Sequence, residues 1–343
     1  MKRDYFLVFI IVLMIAGYII TAQFQSKKPD AEDAEGHADE RIVESAAVKS
    51  DYAHIILQEF PDSVTFAGES ISLVDPDLAE RYDREIILNT HFHSNTILLI
   101  KKSHRWFPLI EPILLKYGIP DDFKYLTLVE GGLSNDVSPR GAVGFWQLLP
   151  STARELGLEV NSEVDERYNP IRSTEAACKY ILKAKEKFGT WTNAAASYNV
   201  GMRGLARSME SQKTVSYYDL LLNEETSRYI FRIIALKQIF EDPGSYGFQI
   251  GMDQLYMAEP VDSVFITSSI RDLTDFAFSK GINYKILKRH NPWLRKNTLT
   301  VKRTNRAYVI VIPRWHLSSI QADIAISDST MIGEDRFMEE NGD

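Results

Sequence analysis

A mainly α-helical protein that ends in a small α+β module is the fold class predicted here, on three observations. Between about residues 100 and 242, apolar residues recur at helical spacing, punctuated by helix start and stop signals. After Gly244 the pattern changes: two runs rich in β-branched and aromatic residues, 263–266 and 307–313, bracket two short helical patterns in the order βααβ. With 45% hydrophobic and 25% charged residues over 343 positions, there is apolar material for one large domain and one small one.

The elements follow in order. Residues 1–25 read as an N-terminal signal or membrane anchor. Lys2 and Arg3 precede residues 5–22, which carry no charge and are just long enough to span a bilayer. A cleaved signal peptide is the competing reading, and either one puts the body of the protein outside the cytoplasm. Residues 26–50 form an acidic flexible linker, too polar to fold alone. Residues 51–99, broken by Pro61 and Pro76, are expected to be a helical introductory subdomain. The His91-x-His93 pair lies there, with His104 beyond, but residues two apart on a helix point away from each other, so no metal is expected. The spacing of Phe107, Ile110, Ile113, Leu114 and Tyr117 predicts a helix over 106–117, which Gly118-Ile119-Pro120-Asp121 stops before starting another that ends at Glu130. Further helices are expected from about 151 to 157, from 173 to 188, from 192 onward and over 224–240. Together these make residues 100–242 a helical domain. Residues 257–315 form the α+β module, and 316–343 an acidic tail.

The net charge of −8, with no basic stripe, excludes a nucleic-acid binder. The lone Cys178 excludes an internal disulfide and a multi-cysteine zinc site, and its helix-forming neighbours suit a buried packing role.

Glu130 is the leading catalytic candidate. It closes the run Phe123-Lys124-Tyr125-Leu126-Thr127-Leu128-Val129-Glu130, beside a loop containing Gly131, Gly132, Gly141 and Gly144. A carboxyl desolvated there should have a raised pKa and hold a proton for donation; a helix-end salt bridge is the plainer alternative. Asp136 lies in the loop and Asp165 and Glu166 in a distant turn, so the segment offers one well-placed carboxylate. Gly141 and Gly144 suit a tight turn where backbone must approach a ligand or a helix. Gln147, expected at the start of the next helix, has an amide able both to donate to and to accept from a ligand. Ser138 either bonds a ligand or, before Pro139, simply starts a turn. Trp146, Phe145, Trp191 and Met202 read as packing residues.

The run from Glu130 through Gly131-Gly132-Leu133-Ser134 to Gly144-Phe145-Trp146-Gln147, followed by Ala194-Ala195-Ala196-Ser197-Tyr198-Asn199-Val200-Gly201 about 70 residues on, resembles the lysozyme-like lytic transglycosylases, the SLT family. The resemblance covers roughly residues 100–242. It implies a lysozyme-like helical catalytic domain in which one Glu, here Glu130, serves as acid and then as base. Cleavage of the MurNAc–GlcNAc bond would then give a 1,6-anhydro product without water. The resemblance also implies that Tyr198 lies near Glu130 and that Asn199 binds the glycan. No metal or cofactor is implied. Two departures stand out: Gly131 occupies a position where many members carry Ser, and the 17-residue spacing from Glu130 to Gln147 is about one shorter than usual. The βααβ module is similar to a LysM peptidoglycan-binding module. Its closing Asn and Ile-Pro are present, but Ser269-Ile270-Arg271-Asp272 stands where Gly-Asp-Thr is usual. The implied partners are peptidoglycan strands and, through residues 5–22, a membrane, with a periplasmic location. A muramidase and an inactive cell-wall-binding scaffold remain the alternatives.

Overall fold

The computed structural model describes residues 59–302 and 307–314. The expected anchor, the linker, the first residues of the introductory subdomain and the acidic tail lie outside this range. Among the described residues no helix is long and apolar enough to cross a membrane.

The described residues open on a hairpin rather than a helix. β1 (Ser63–Phe66) pairs antiparallel with β2 (Glu69–Ser72), Val64 opposite Ile71. The two-residue turn Ala67-Gly68 has positive φ at both positions, the geometry that matches strand twist. Val64, Phe66 and Ile71 point into the core. Strands of four residues are too short for alternation to stand out, so the helical expectation for this segment fails here.

α1 (Pro76–His91) starts on Asp75, whose side chain accepts from the Asp77 N–H, with Pro76 at the first helical position. α2 (His93–Lys116) begins well before the expected 106 and runs through the expected subdomain boundary at 99. His91 and His93 thus belong to two different helices, with ring centroids 6.2 Å apart. A 3-10 turn, Asp121–Tyr125, leads into α3 (Leu126–Glu130). A long irregular loop follows, then α4 (Pro150–Glu155), the 3-10 turn Glu166–Tyr168 and α5 (Pro170–Phe188), which ends on Gly189 in the left-handed conformation. α6 (Trp191–Val200), α7 (Met202–Gln212) and α8 (Glu224–Glu241) complete the helical part. In α8, Tyr229, Ile230, Phe231, Ile233, Ile234 and Ala235 are all buried. A helix apolar on most sides must run through a core, and α1, α3 and α6 pack around it.

The module is βααβ, as expected. β3 (Val261–Ile266) pairs antiparallel with β4 (Tyr308–Pro313), and α9 (Leu273–Ser279) and α10 (Tyr284–His290) lie between them in sequence. Its core is not its own. Val143, Val164 and Tyr168 from the helical part join Ile266, Leu273, Trp293, Leu294 and Ile310 in one buried cluster. Backbone bonds cross the same junction, from Asp165 N–H to Trp293 C=O at 2.9 Å and from Arg295 N–H to Glu163 C=O at 2.8 Å.

Candidate active site

α3 is five residues long and buried along Leu126, Thr127 and Leu128, so it carries Glu130 to the edge of the core. The carboxyl keeps partial solvent access, yet burial pushes its pKa up to about 7. Three nearby groups modify that effect. A hydrogen bond from Tyr229 and the charge of Arg232 favour the carboxylate, while Glu225 opposes it. The Tyr229 hydroxyl donates to Glu130 Oε1 at 2.5 Å. Burial and the Glu130 charge hold that phenol well above its ordinary pKa, so it stays a donor.

The glycine-rich loop folds back onto the end of α3. A Cβ on Gly131 would sit 2.4 Å from the Gly144 carbonyl oxygen and 2.9 Å from Phe145 Cα, so a serine does not fit at this position. Gly144, at φ +81°, would place a Cβ 2.4 Å from the Arg167 carbonyl oxygen. Arg167 ties the loop from beneath. It pairs with Asp165 through two nitrogens and donates to the carbonyls of Gly141 and Leu148, at 2.8 and 3.0 Å. Lys102 donates to the Gly132 carbonyl at 3.0 Å and to Ser134 at 2.6 Å.

The expected site residues are placed as follows. Gln147 lies in this loop, three residues before α4 begins at Pro150, not at a helix start. It adopts φ +43°, uncommon for a residue with a side chain. Its Nε2 donates to the carbonyls of Asp136 and Gly144, which leaves the amide oxygen as the group for a ligand. The Ser138 hydroxyl accepts from the Ala142 N–H at 3.0 Å and closes a turn. Tyr198 feels the Glu130 charge, which together with burial raises its pKa, but its hydroxyl donates to the Trp146 carbonyl at 2.7 Å rather than to Glu130. Asn199 Oδ1 accepts from Thr226 Oγ1 at 2.8 Å, joining α6 to the first turn of α8. Among the described residues no protein acceptor takes the Asn199 amide hydrogens. Trp146 is fully buried and donates its indole N–H to Thr174. Cys178 is buried too, its thiol pushed up to about 12.

α8 therefore supplies what the sequence reading missed: Tyr229, with Glu225 and Arg232 flanking it. In sequence Tyr229 sits within an apolar helical stripe, where a tyrosine reads as packing. Among the described residues no group of three or more His, Cys, Asp or Glu is arranged to hold a metal ion.

Comparison with known proteins matches residues 116–221 to the family described as the transglycosylase SLT domain. This stretch is similar to an SLT domain. Residues 262–315 match the soluble lytic transglycosylase C-terminal LysM-like domain. The chain is 23% identical over 294 residues to membrane-bound lytic murein transglycosylase D of Escherichia coli K12, covering 80% of this chain and 61% of that protein. The protein of the same name from Escherichia coli O6:H1 matches equally. The chain thus spans about three-fifths of the length of these curated relatives. Glu130, Ser138, Gln147, Tyr198 and Asn199 all fall inside the matched SLT residues, whereas Glu225, Tyr229 and Arg232 lie past their end.

Proposed function

We propose that this chain is a peptidoglycan lytic transglycosylase. It cuts the β-1,4 MurNAc–GlcNAc bond without water and leaves 1,6-anhydroMurNAc ends. The observation that carries the reading is Glu130, a carboxyl desolvated to a pKa of about 7 at the end of α3 in the SLT domain. At neutral pH such a group is protonated about half the time, so it is poised both to give a proton and to take one back.

In the first half of the reaction, protonated Glu130 donates to the departing GlcNAc O4. The C1–O4 bond breaks and positive charge grows on the MurNAc ring. The Glu130 carboxylate, held by Tyr229, then accepts the proton of the same sugar's C6 hydroxyl as O6 bonds to C1. This returns Glu130 to its acid form and balances protons over the cycle. The scheme draws on no metal or cofactor. Asn199, through its amide hydrogens, and Gln147, through its amide oxygen, are proposed glycan contacts, and the Ser138 hydroxyl is a third at the loop rim. Tyr198 is proposed to contact substrate only after leaving the Trp146 carbonyl. Export to the periplasm and anchoring through residues 5–22 belong to the same proposal, in keeping with the name of the membrane-bound murein relatives.

One observation favours a second reading, hydrolysis by a muramidase: a second carboxylate, Glu225, lies near enough for its charge to oppose ionisation of Glu130. Mass spectrometry of muropeptides released from purified sacculi separates the two. The expected products end in 1,6-anhydroMurNAc with the wild type and are absent with Glu130→Gln. Reducing MurNAc ends would establish hydrolysis, and sacculus binding without release by either protein would establish a scaffold.

A further inference from the structure

The hairpin and α1 precede the SLT-matched residues, yet they anchor α6, α8 and the turn that leads into α3. On β2, Glu69 accepts from the backbone N–H groups of Trp191 and Thr192 at 2.6 and 2.9 Å and from the Thr192 hydroxyl at 2.7 Å. It thereby caps α6, the helix of Tyr198 and Asn199. Asp122, where the chain turns toward α3 and Glu130, accepts from the Ala67 N–H in the hairpin turn and from Lys237 on α8, both at 2.7 Å. On α1, Glu85 is 1% exposed, with Oε1 3.1 Å from Arg228 and Oε2 3.1 Å from Arg232. Those arginines flank Tyr229 on α8. A carboxylate buried between two guanidinium groups is costly to remove, because the cations are left unbalanced.

We propose that Glu85 is a positioning residue for the active site: held between Arg228 and Arg232, it sets the placement and the charge of the α8 face that presents Tyr229 to Glu130. This inference rests on the reading of Glu130 as general acid. The charged and titratable groups involved come from several elements. Glu130 is faced by Tyr229, Glu225 and Arg232 on α8 and by Tyr198 on α6. Glu85 is faced by Arg228 and Arg232 on α8, with Tyr217 and Arg81 close by. Arg232 favours the charged form of Glu130, and Glu85 offsets part of that cation. Loss of Glu85 leaves Arg232 uncompensated and makes Glu130 a stronger acid; loss of Arg232 makes it a weaker one.

The test measures muropeptide release from purified sacculi by the full chain between about pH 5 and pH 9, for wild type, Glu85→Gln, Arg232→Gln and Glu130→Gln. The alkaline limb of the profile should move to lower pH in Glu85→Gln and to higher pH in Arg232→Gln. A half-unit move changes the rate on the alkaline side by about threefold. Unmoved limbs, with only the melting temperature lowered, would mean a purely structural ion pair and overturn the proposal. The Arg232 side chain is about one-third exposed, so should Glu85→Gln not fold, an unmoved limb in Arg232→Gln still overturns the proposal. Failure of the parent reading looks different: Glu130→Gln would then keep wild-type activity. An inactive Glu130→Gln beside unmoved limbs removes this inference only.

Discussion

At Glu130, desolvation raises the pKa against a hydrogen bond and a cation that lower it, and the balance settles near 7. That balance has a consequence for stability. The unfolded carboxyl titrates near 4.5 and the folded one near 7, so between these values the folded state binds more protons. Stability is therefore lost as pH rises through this window. Gln does not titrate, so Glu130→Gln should be more stabilising at about pH 8 than at about pH 5, by about 1–3 kcal/mol given the partial solvent access. Urea denaturation at the two pH values measures this; an equal effect at both would contradict it. The proposed proton transfer draws on this affinity, whose cost the fold tolerates.

At the scale of elements, the loop between α3 and α4 owes its path to contacts no side chain could survive. The backbone of Gly144 lies against Arg167, and Gly131 lies against Gly144 itself. Gly144→Ala combines a positive φ with a backbone clash and should cost about 2–4 kcal/mol. Gly141→Ala has a similar φ but open space around it, and should cost about 1 kcal/mol. Thermal denaturation of the pair checks the difference, and activity should fall far more in Gly144→Ala. The departure from the usual serine at 131 also becomes intelligible at this scale, since the loop has closed over that position.

Across the whole molecule, the C-terminal module is built into the helical part. Val143 belongs to the Glu130 loop and is buried in the module's core, and Asp165, which pairs with Arg167 beneath that loop, also bonds Trp293. Deleting residues 257–343 should therefore lower the melting temperature and reduce sacculus cleavage per molecule, because Val143, Val164 and Tyr168 would lose their cover. A module acting only as a tether would leave cleavage of a small soluble glycan unchanged, and assaying one measures the difference.

Most helices between 106 and 240 and the βααβ pattern were legible in the sequence, because periodicity and capping residues act over a few neighbouring positions. The resemblance to the SLT family singled out Tyr198 and Asn199 and supported Glu130 and Gln147 as candidates. The helix Met202–Gln212 was not expected. Nor was the hairpin at 63–72, since four-residue strands carry too little pattern, and neither was the crossing of residue 99 by α2. Tertiary structure alone decided that Tyr229 would hold Glu130, 99 positions away, and that Glu85 would meet Arg232, 147 positions away. It also decided that Gln147 would spend its amide hydrogens on its own loop. Such pairings depend on how distant elements pack, and no local preference along the chain encodes the relative placement of two helices.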